Sequence, residues 1–182
     1  MSKRALILID IQNDYFAGGK WPLAGMDSAA SNAARVLEAA RAAGDTVIHV
    51  RHEFESDDAP FFAPGSDGAR LHASVLPQVG EAMVLKHKVN AFLGTDLKAQ
   101  LDAASIEQVI LVGAMSHMCI AAAARASADF GYATTVIHDA CATHDQAFEG
   151  STIPAAQVHA ANMAALAFAY ATVLATEQYL AG

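Results

Sequence analysis

Three side chains in this sequence are of types that could share one reaction: Asp10, Lys86 and Cys119. A thiol becomes a nucleophile once it loses its proton. A carboxylate can take that proton and later return it to a leaving amine. An ammonium group holds the resulting anions and raises the thiolate population. Each residue follows an apolar run: Ala5-Leu-Ile-Leu-Ile before Asp10, Ala82-Met-Val-Leu before Lys86, and Val109-Ile-Leu-Val a short way ahead of Cys119. Together they suit attack on a carbonyl, a thioester, and its hydrolysis by water. Each also has an ordinary alternative: a turn cap for Asp10, a solvated lysine, a small core cysteine. Their joint placement is what favours the chemistry.

The same runs predict the elements that must position these groups. Val109 to Val112 reads as a strand buried on both faces, broken by Gly113. Ser116 reads as the N-cap of a helix to about Phe130, which Gly131 closes in the left-handed conformation. Cys119 then falls at the third helical position. Unpaired N–H groups and partial positive charge there favour a thiolate and could hold an oxyanion. Further strands are expected over 3–10, 46–50, 82–85, 134–137 and 172–174. Helices are expected from Asp27 or Ser28 to Ala43, with Gly44 as the stop, and over 95–104 and 154–170. Alternation of this kind implies an α/β fold with a parallel sheet covered on both faces, whose ligands gather at the carboxyl ends of the strands. No repeat or linker divides the chain, so residues 1–182 read as one domain.

Composition narrows the function classes. Apolar residues make up 54% and charged residues 16%, which argues against disorder. Net charge is −8 with no Lys/Arg cluster, so nucleic acid and anionic membrane are poor partners. The amino-terminal apolar run is too short for a signal peptide and ends in Asp10, so a cytoplasmic location is expected. Two cysteines 22 positions apart form neither a disulfide framework nor a zinc pattern. The stretch after the first strand, Asp10-Ile-Gln-Asn-Asp-Tyr15, is acidic and lacks glycine, which argues against a nucleotide or flavin protein.

The chain resembles the isochorismatase-like cysteine hydrolase superfamily. The resemblance rests on Ala5-Leu-Ile-Leu-Ile-Asp-Ile-Gln-Asn-Asp14, Lys86-His-Lys-Val-Asn-Ala-Phe-Leu-Gly-Thr-Asp-Leu97, Val112-Gly-Ala-Met-Ser-His-Met-Cys-Ile120 and His138-Asp-Ala-Cys-Ala142, in that order. It implies a six-stranded, three-layer α/β/α fold. It also implies a triad of Asp10, Lys86 and Cys119, a cis peptide between Ala114 and Met115, and an oxyanion hole from the N–H groups of Met115 and Cys119. Members of the superfamily cleave C–N bonds of small amides, carbamoyl compounds and related molecules, and form dimers or tetramers; no cofactor is expected for this chain. The nicotinamidases among them carry a metal-binding Asp-x-His after the second strand. Here that region reads Arg51-His-Glu-Phe-Glu-Ser-Asp-Asp58, so neither a metal nor nicotinamide is expected. True isochorismatases lack the cysteine and cleave a vinyl ether. Position 117, often aspartate in relatives, is His117.

Candidates for a substrate pocket are Phe16, Trp21, His52, Phe61, Phe62 and His117. Phe61 and Phe62 lie in a long loop, residues 51–68, rich in proline, glycine and acidic residues; His52 and His72 could reach the pocket from the same side. Cys141 reads as structural. The rival to an amide hydrolase is a non-catalytic small-molecule binder of the same fold, in which Cys119 would be unreactive.

Overall fold

The computed structural model describes residues 3–182. In chain order its elements are β1 (Arg4–Ile9), α1 (Met26–Ala43), β2 (Thr46–His52), β3 (Ala82–Lys86), α2 (Leu97–Ala103) and β4 (Gln108–Ala114). There follow α3 (Ala121–Asp129), β5 (Ala133–Ala142), β6 (Gln146–Phe148), β7 (Ser151–Ile153), α4 (Ala155–Ala169), β8 (Thr172–Leu174) and α5 (Thr176–Leu180). Six strands pair in the order β3-β2-β1-β4-β5-β8, every neighbour parallel. The strands nearest the middle are near-continuous runs of Val, Ile and Leu because both faces are covered. On one face Leu6, Leu8, Ile110 and Val112 pack against Ala33, Val36 and Leu37 of α1. On the other, Ile7, Ile9, Val109 and Leu111 pack against Leu101 of α2, Ala123 and Ala124 of α3, and Leu166 of α4. The fold is the expected three-layer α/β/α. Among the described residues no helix is long and apolar enough to cross a membrane.

Several boundaries differ from expectation for physical reasons. Gly113 does not break β4, which runs on to Ala114. Its φ of 125°, and the collision a side chain would make with the Ile9 carbonyl, explain why glycine sits inside the strand. Strand β5 extends to Ala142 through a register shift against β4, bringing Cys141 opposite Gly113. Strand β2 extends to His52, which therefore belongs to the sheet and not to the loop. Helix α1 is capped by Gly25, with Asp27 inside its first turn. Ser116 is not an N-cap: Met115 holds that position, and a π-helical turn, Ser116–Ile120, precedes α3. The Ser116 hydroxyl instead donates to the Ala142 carbonyl (3.2 Å) and meets His159 Nδ1 at 2.8 Å. Residues Gln146 to Ile153 form a small antiparallel hairpin that periodicity did not suggest.

Candidate functional site

The carboxyl ends of β1 to β4 meet at one edge of the sheet. Asp10 follows β1 with a φ of 54°, a left-handed conformation that aspartate tolerates better than most residues. Its N–H donates to the Val50 carbonyl (2.9 Å). Asp10 caps nothing: the 3₁₀ turn Asn13–Tyr15 has Gln12 at its cap position and no side-chain cap bond. Its carboxylate Oδ2 lies 2.8 Å from Lys86 Nζ. Lys86 ends β3 two strands away, and its long side chain crosses the tip of β2 to reach both neighbours. Lys86 Nζ also lies 3.3 Å from Cys119 Sγ, 2.8 Å from His52 Nδ1 and 3.2 Å from the Lys88 carbonyl. Cys119 arrives from the π-helical turn beyond β4, just after a cis Ala114–Met115 peptide. Asp10 and Lys86 are fully buried and Cys119 is 5% exposed, so no water screens the charges from one another.

Burial decides how these groups titrate. Desolvation pushes the Asp10 carboxyl above its ordinary range, against the pull of Lys86. Burial alone would weaken the Lys86 ammonium, but Asp10 and then Cys119 outweigh it and hold its pKa above the ordinary lysine value. Burial and then the Asp10 charge push the Cys119 thiol up to about 12, although Lys86 opposes both. The expectation that a helix N-terminus favours a resting thiolate is thus overturned. The site sets one ammonium beside two acids whose neutral forms burial favours. A proton moving from Cys119 to Asp10 exchanges one anion for the other without changing the net charge, which is the arrangement an acid–base pair around a nucleophile needs.

Above the sulfur lies a chamber of about 220 Å³. That is small for a ligand site, about the volume of seven waters in the liquid. His52, Phe61 and Phe62 line it, with Tyr15, Phe54, Val89, Met115 and Met118. Three pocket candidates lie elsewhere. Phe16, at the end of the 3₁₀ turn, is absent from the chamber wall and stacks on His72, ring centroids 3.6 Å apart. Trp21 stacks on Phe61 at 4.9 Å and is absent from the chamber wall. His117 turns away to Thr143 Oγ1, 2.7 Å distant. Phe54 carried a usable signal: two residues beyond His52 on an extended chain, it projects to the same side. A larger, more open hollow of about 1020 Å³ lies at the amino end of the sheet, lined by Lys3, Arg4 and Asp45 among others. No cysteine lines it.

Two buried polar residues hold the chamber in shape. Gln12 Oε1 accepts from the His52 N–H (2.7 Å), while its Nε2 donates to the carbonyls of His52 and Ala69 (both 2.8 Å). The Asp14 carboxylate accepts from the N–H groups of Phe62 (2.7 Å) and Lys20 (3.0 Å). That bond helps hold Phe62 at its φ of 51°, and only glycine at position 68 leaves room for the carboxylate. The stretch from Asp10 to Asp14 thus supplies the carboxylate beside Lys86 and two props. Among the described residues no group of three His, Cys, Asp or Glu side chains could hold a metal ion.

A buried thiol thus stands beside a carboxylate–ammonium pair at the strand tips of an α/β/α sheet. Comparison with known proteins is specific. The Isochorismatase domain family matches residues 4–178, and the chain belongs to that family. It is 44% identical to YddQ of Bacillus subtilis, an uncharacterized isochorismatase family protein, over 97% of this chain and 98% of that one. It is 31% identical to maleamate amidohydrolase of Pseudomonas putida, over 75% of this chain and 71% of the relative. The crystal structure of an isochorismatase-type hydrolase from Oleispira antarctica superposes with a TM-score of 0.96 at 56% identity, covering 100% of this chain and 97% of that one.

Proposed function

We propose that this isochorismatase-family hydrolase cleaves the C–N bond of a small amide or carbamoyl compound through a thioester on Cys119. One observation carries the reading: Lys86 Nζ stands 2.8 Å from the Asp10 carboxylate and 3.3 Å from the Cys119 sulfur, beneath a small, mostly apolar chamber. Asp10 takes the thiol proton as sulfur attacks the carbonyl carbon. Lys86 stays positively charged and stabilises whichever neighbour is the anion. The N–H groups of Met115 and Cys119 are the proposed donors to the oxyanion. As the C–N bond breaks, Asp10 returns the proton to the departing nitrogen. Water, deprotonated by the freed carboxylate, then cleaves the thioester, and the thiol regains its proton. The similarity to maleamate amidohydrolase supports an amide substrate, and the chamber's size supports a small one.

The test is ammonia release from a panel of small primary amides and carbamoyl compounds, maleamate first, followed by mass spectrometry after acid quench. The expected result is an acyl adduct on Cys119. Turnover that survives Cys119→Ala would instead make the sulfur a bystander. The same proposal treats residues 1–182 as one catalytic unit, acting in the cytoplasm as a homodimer or homotetramer. Two free thiols fit a reducing compartment, and the 91% exposed Phe168 on α4 offers an apolar contact for a second copy. Sedimentation of the purified protein tests the assembly.

A further inference from the structure

We infer that His52 is a positioning residue for the Lys86 ammonium: its Nδ1 holds one Nζ proton throughout the reaction and keeps the ammonium between carboxylate and sulfur. The inference rests on the thioester reading above and adds a residue to it.

The sheet makes the contact unavoidable. His52 and Lys86 are paired residues of neighbouring parallel strands, so their side chains leave the same face side by side. Strand β2 lies between β3 and β1, so whatever occupies position 52 lines the path from Lys86 to Asp10. The placement of His52 is itself fixed, because Gln12 bonds both its N–H and its carbonyl.

The proton count gives the contact its role. An ammonium has three protons. Lys86 Nζ has hydrogen-bond geometry to His52 Nδ1 at 2.8 Å, the Lys88 carbonyl at 3.2 Å and Cys119 Sγ at 3.3 Å, and an ion-pair contact with Asp10 Oδ2 at 2.8 Å. The imidazole and the carbonyl are neutral and do not change during the reaction. Each can take one N–H and keep it. The third N–H is then left for the two groups that exchange a proton: it meets Sγ here, with Oδ2 held beside it as an ion pair, and it stays on Sγ once the thiol proton has passed to Asp10. Lys86 keeps all three protons in both states.

The tautomer follows from the same contact. A charged ammonium can only donate, so Nδ1 must accept and the ring proton sits on Nε2. Burial and the nearby Lys86 charge hold the His52 pKa down to about 3, so the ring remains a neutral acceptor. Nε2 is buried without a hydrogen-bond partner, and the Phe54 ring lies edge-on to the imidazole, centroids 4.6 Å apart. An unpaired buried N–H is costly. The ring's useful polar atom is the one facing Lys86, which separates His52 from the apolar residues of the chamber wall.

Alkylation of the full-length protein by iodoacetamide, resolved by peptide mass spectrometry, tests this without a known substrate. In His52→Leu, Cys119 should react about ten- to a hundredfold more slowly, since a hydrogen bond to a charged group is lost and Nζ settles towards Asp10. Cys141 should be unaffected. His52→Asn, whose amide oxygen can stand near the Nδ1 position, should recover most of the rate. His52→Gln, whose amide reaches the Nε2 position, should not, and this pair decides the matter if the leucine variant does not fold. Equal rates in the native protein and the leucine variant, or equal losses in Asn and Gln, would overturn the inference. Failure of the thioester reading would look different: Cys119→Ala would still release ammonia, whatever the alkylation rates.

Discussion

Two clusters, one fully buried and one partly exposed, flank β3 and are built from the same parts: one carboxylate, one cation and one histidine from β2. At the carboxyl end stand Asp10, Lys86 and His52. At the amino end Glu81 receives Arg41 Nε (2.6 Å) and Nη2 (2.8 Å), the Gln78 N–H (2.8 Å) and His49 Nε2 (2.9 Å). The outcomes are opposite. Arg41 holds the Glu81 carboxyl down to about 2, while burial lifts that of Asp10 above its ordinary value. Donor supply and water access explain the difference. Glu81 is surrounded by donors fixed in a bidentate fork and keeps some solvent contact, so its charge is held for good. Asp10 is fully buried, and its one close cation also serves the thiol. A carboxylate with surplus donors anchors the fold; one with too few, beside a second acid, is ready to accept a proton.

The largest expected effect separates the two clusters by function. Cys119→Ala should lower kcat/KM on any amide substrate by about a thousandfold or more, as loss of a nucleophile does elsewhere. Glu81→Gln should leave the same quantity within about twofold at a temperature where the variant is folded. Comparable losses in both would dissolve the distinction. Next comes Asp10→Asn, which should slow turnover by about a hundred- to ten-thousandfold. Sulfur reactivity should move the other way. The Asp10 charge raises the Cys119 pKa, so its removal leaves Lys86 free to favour the thiolate, and iodoacetamide should label Cys119 faster near pH 8. Slower labelling would mean that Asp10 supports the sulfur by some route other than charge.

Stability should separate the clusters in the reverse sense. Glu81 titrates near 2 in the folded chain against an ordinary 4.5. Its contribution is therefore present above about pH 4.5 and is lost as the pH falls towards 2. The difference corresponds to about 3 kcal/mol, an upper figure given its partial exposure. Urea unfolding of Glu81→Gln should show roughly this loss at pH 7 and a flatter acid limb than the native protein. An unchanged acid limb would assign the stabilisation to some other pair. Asp10 has the opposite sign: a raised carboxyl adds stability at low pH and loses it as the pH rises through the raised value.

Legibility in the sequence tracked locality. The strands and most helices could be read because their apolar runs and glycine stops are local signals. Asp10 and Lys86 stand out as polar residues closing such runs, and Cys119 as a nucleophile just past one. What escaped depended on partners distant in the chain. His52 read as a loop residue because the register placing it beside Lys86 forms only in the sheet. Nothing local marked Gln12 and Asp14 as props, because their bonds reach His52, 40 positions on, and Phe62, 48 positions on. Gly113 read as a break because the sequence does not reveal the Ile9 carbonyl pressed against it. Nothing local marked Arg41, His49 and Glu81 as a cluster.

The smallest effect concerns the two cysteines, which the same contrast divides. Both are buried, and both thiols are pushed up to about 12, by burial first in each case. Around Cys119 the carboxylate and ammonium act in opposite directions. Cys141 is near no cation of that kind and donates only to the Ile137 carbonyl at 3.3 Å. Its pKa is therefore a matter of stability alone. A thiol that ionises near 12 when folded and near 9 when unfolded adds stability below pH 9 and loses it as the pH rises towards 12. At pH 10 to 10.5 the loss is about 1–2 kcal/mol. Cys141→Ala should start less stable at pH 7, because a buried sulfur is gone. It should then decline less steeply between pH 9 and 10.5 in urea unfolding, with turnover retained. A slope identical to that of the native protein would mean that Cys141 can ionise where it lies, and that burial at this end of β5 is weaker than the packing implies.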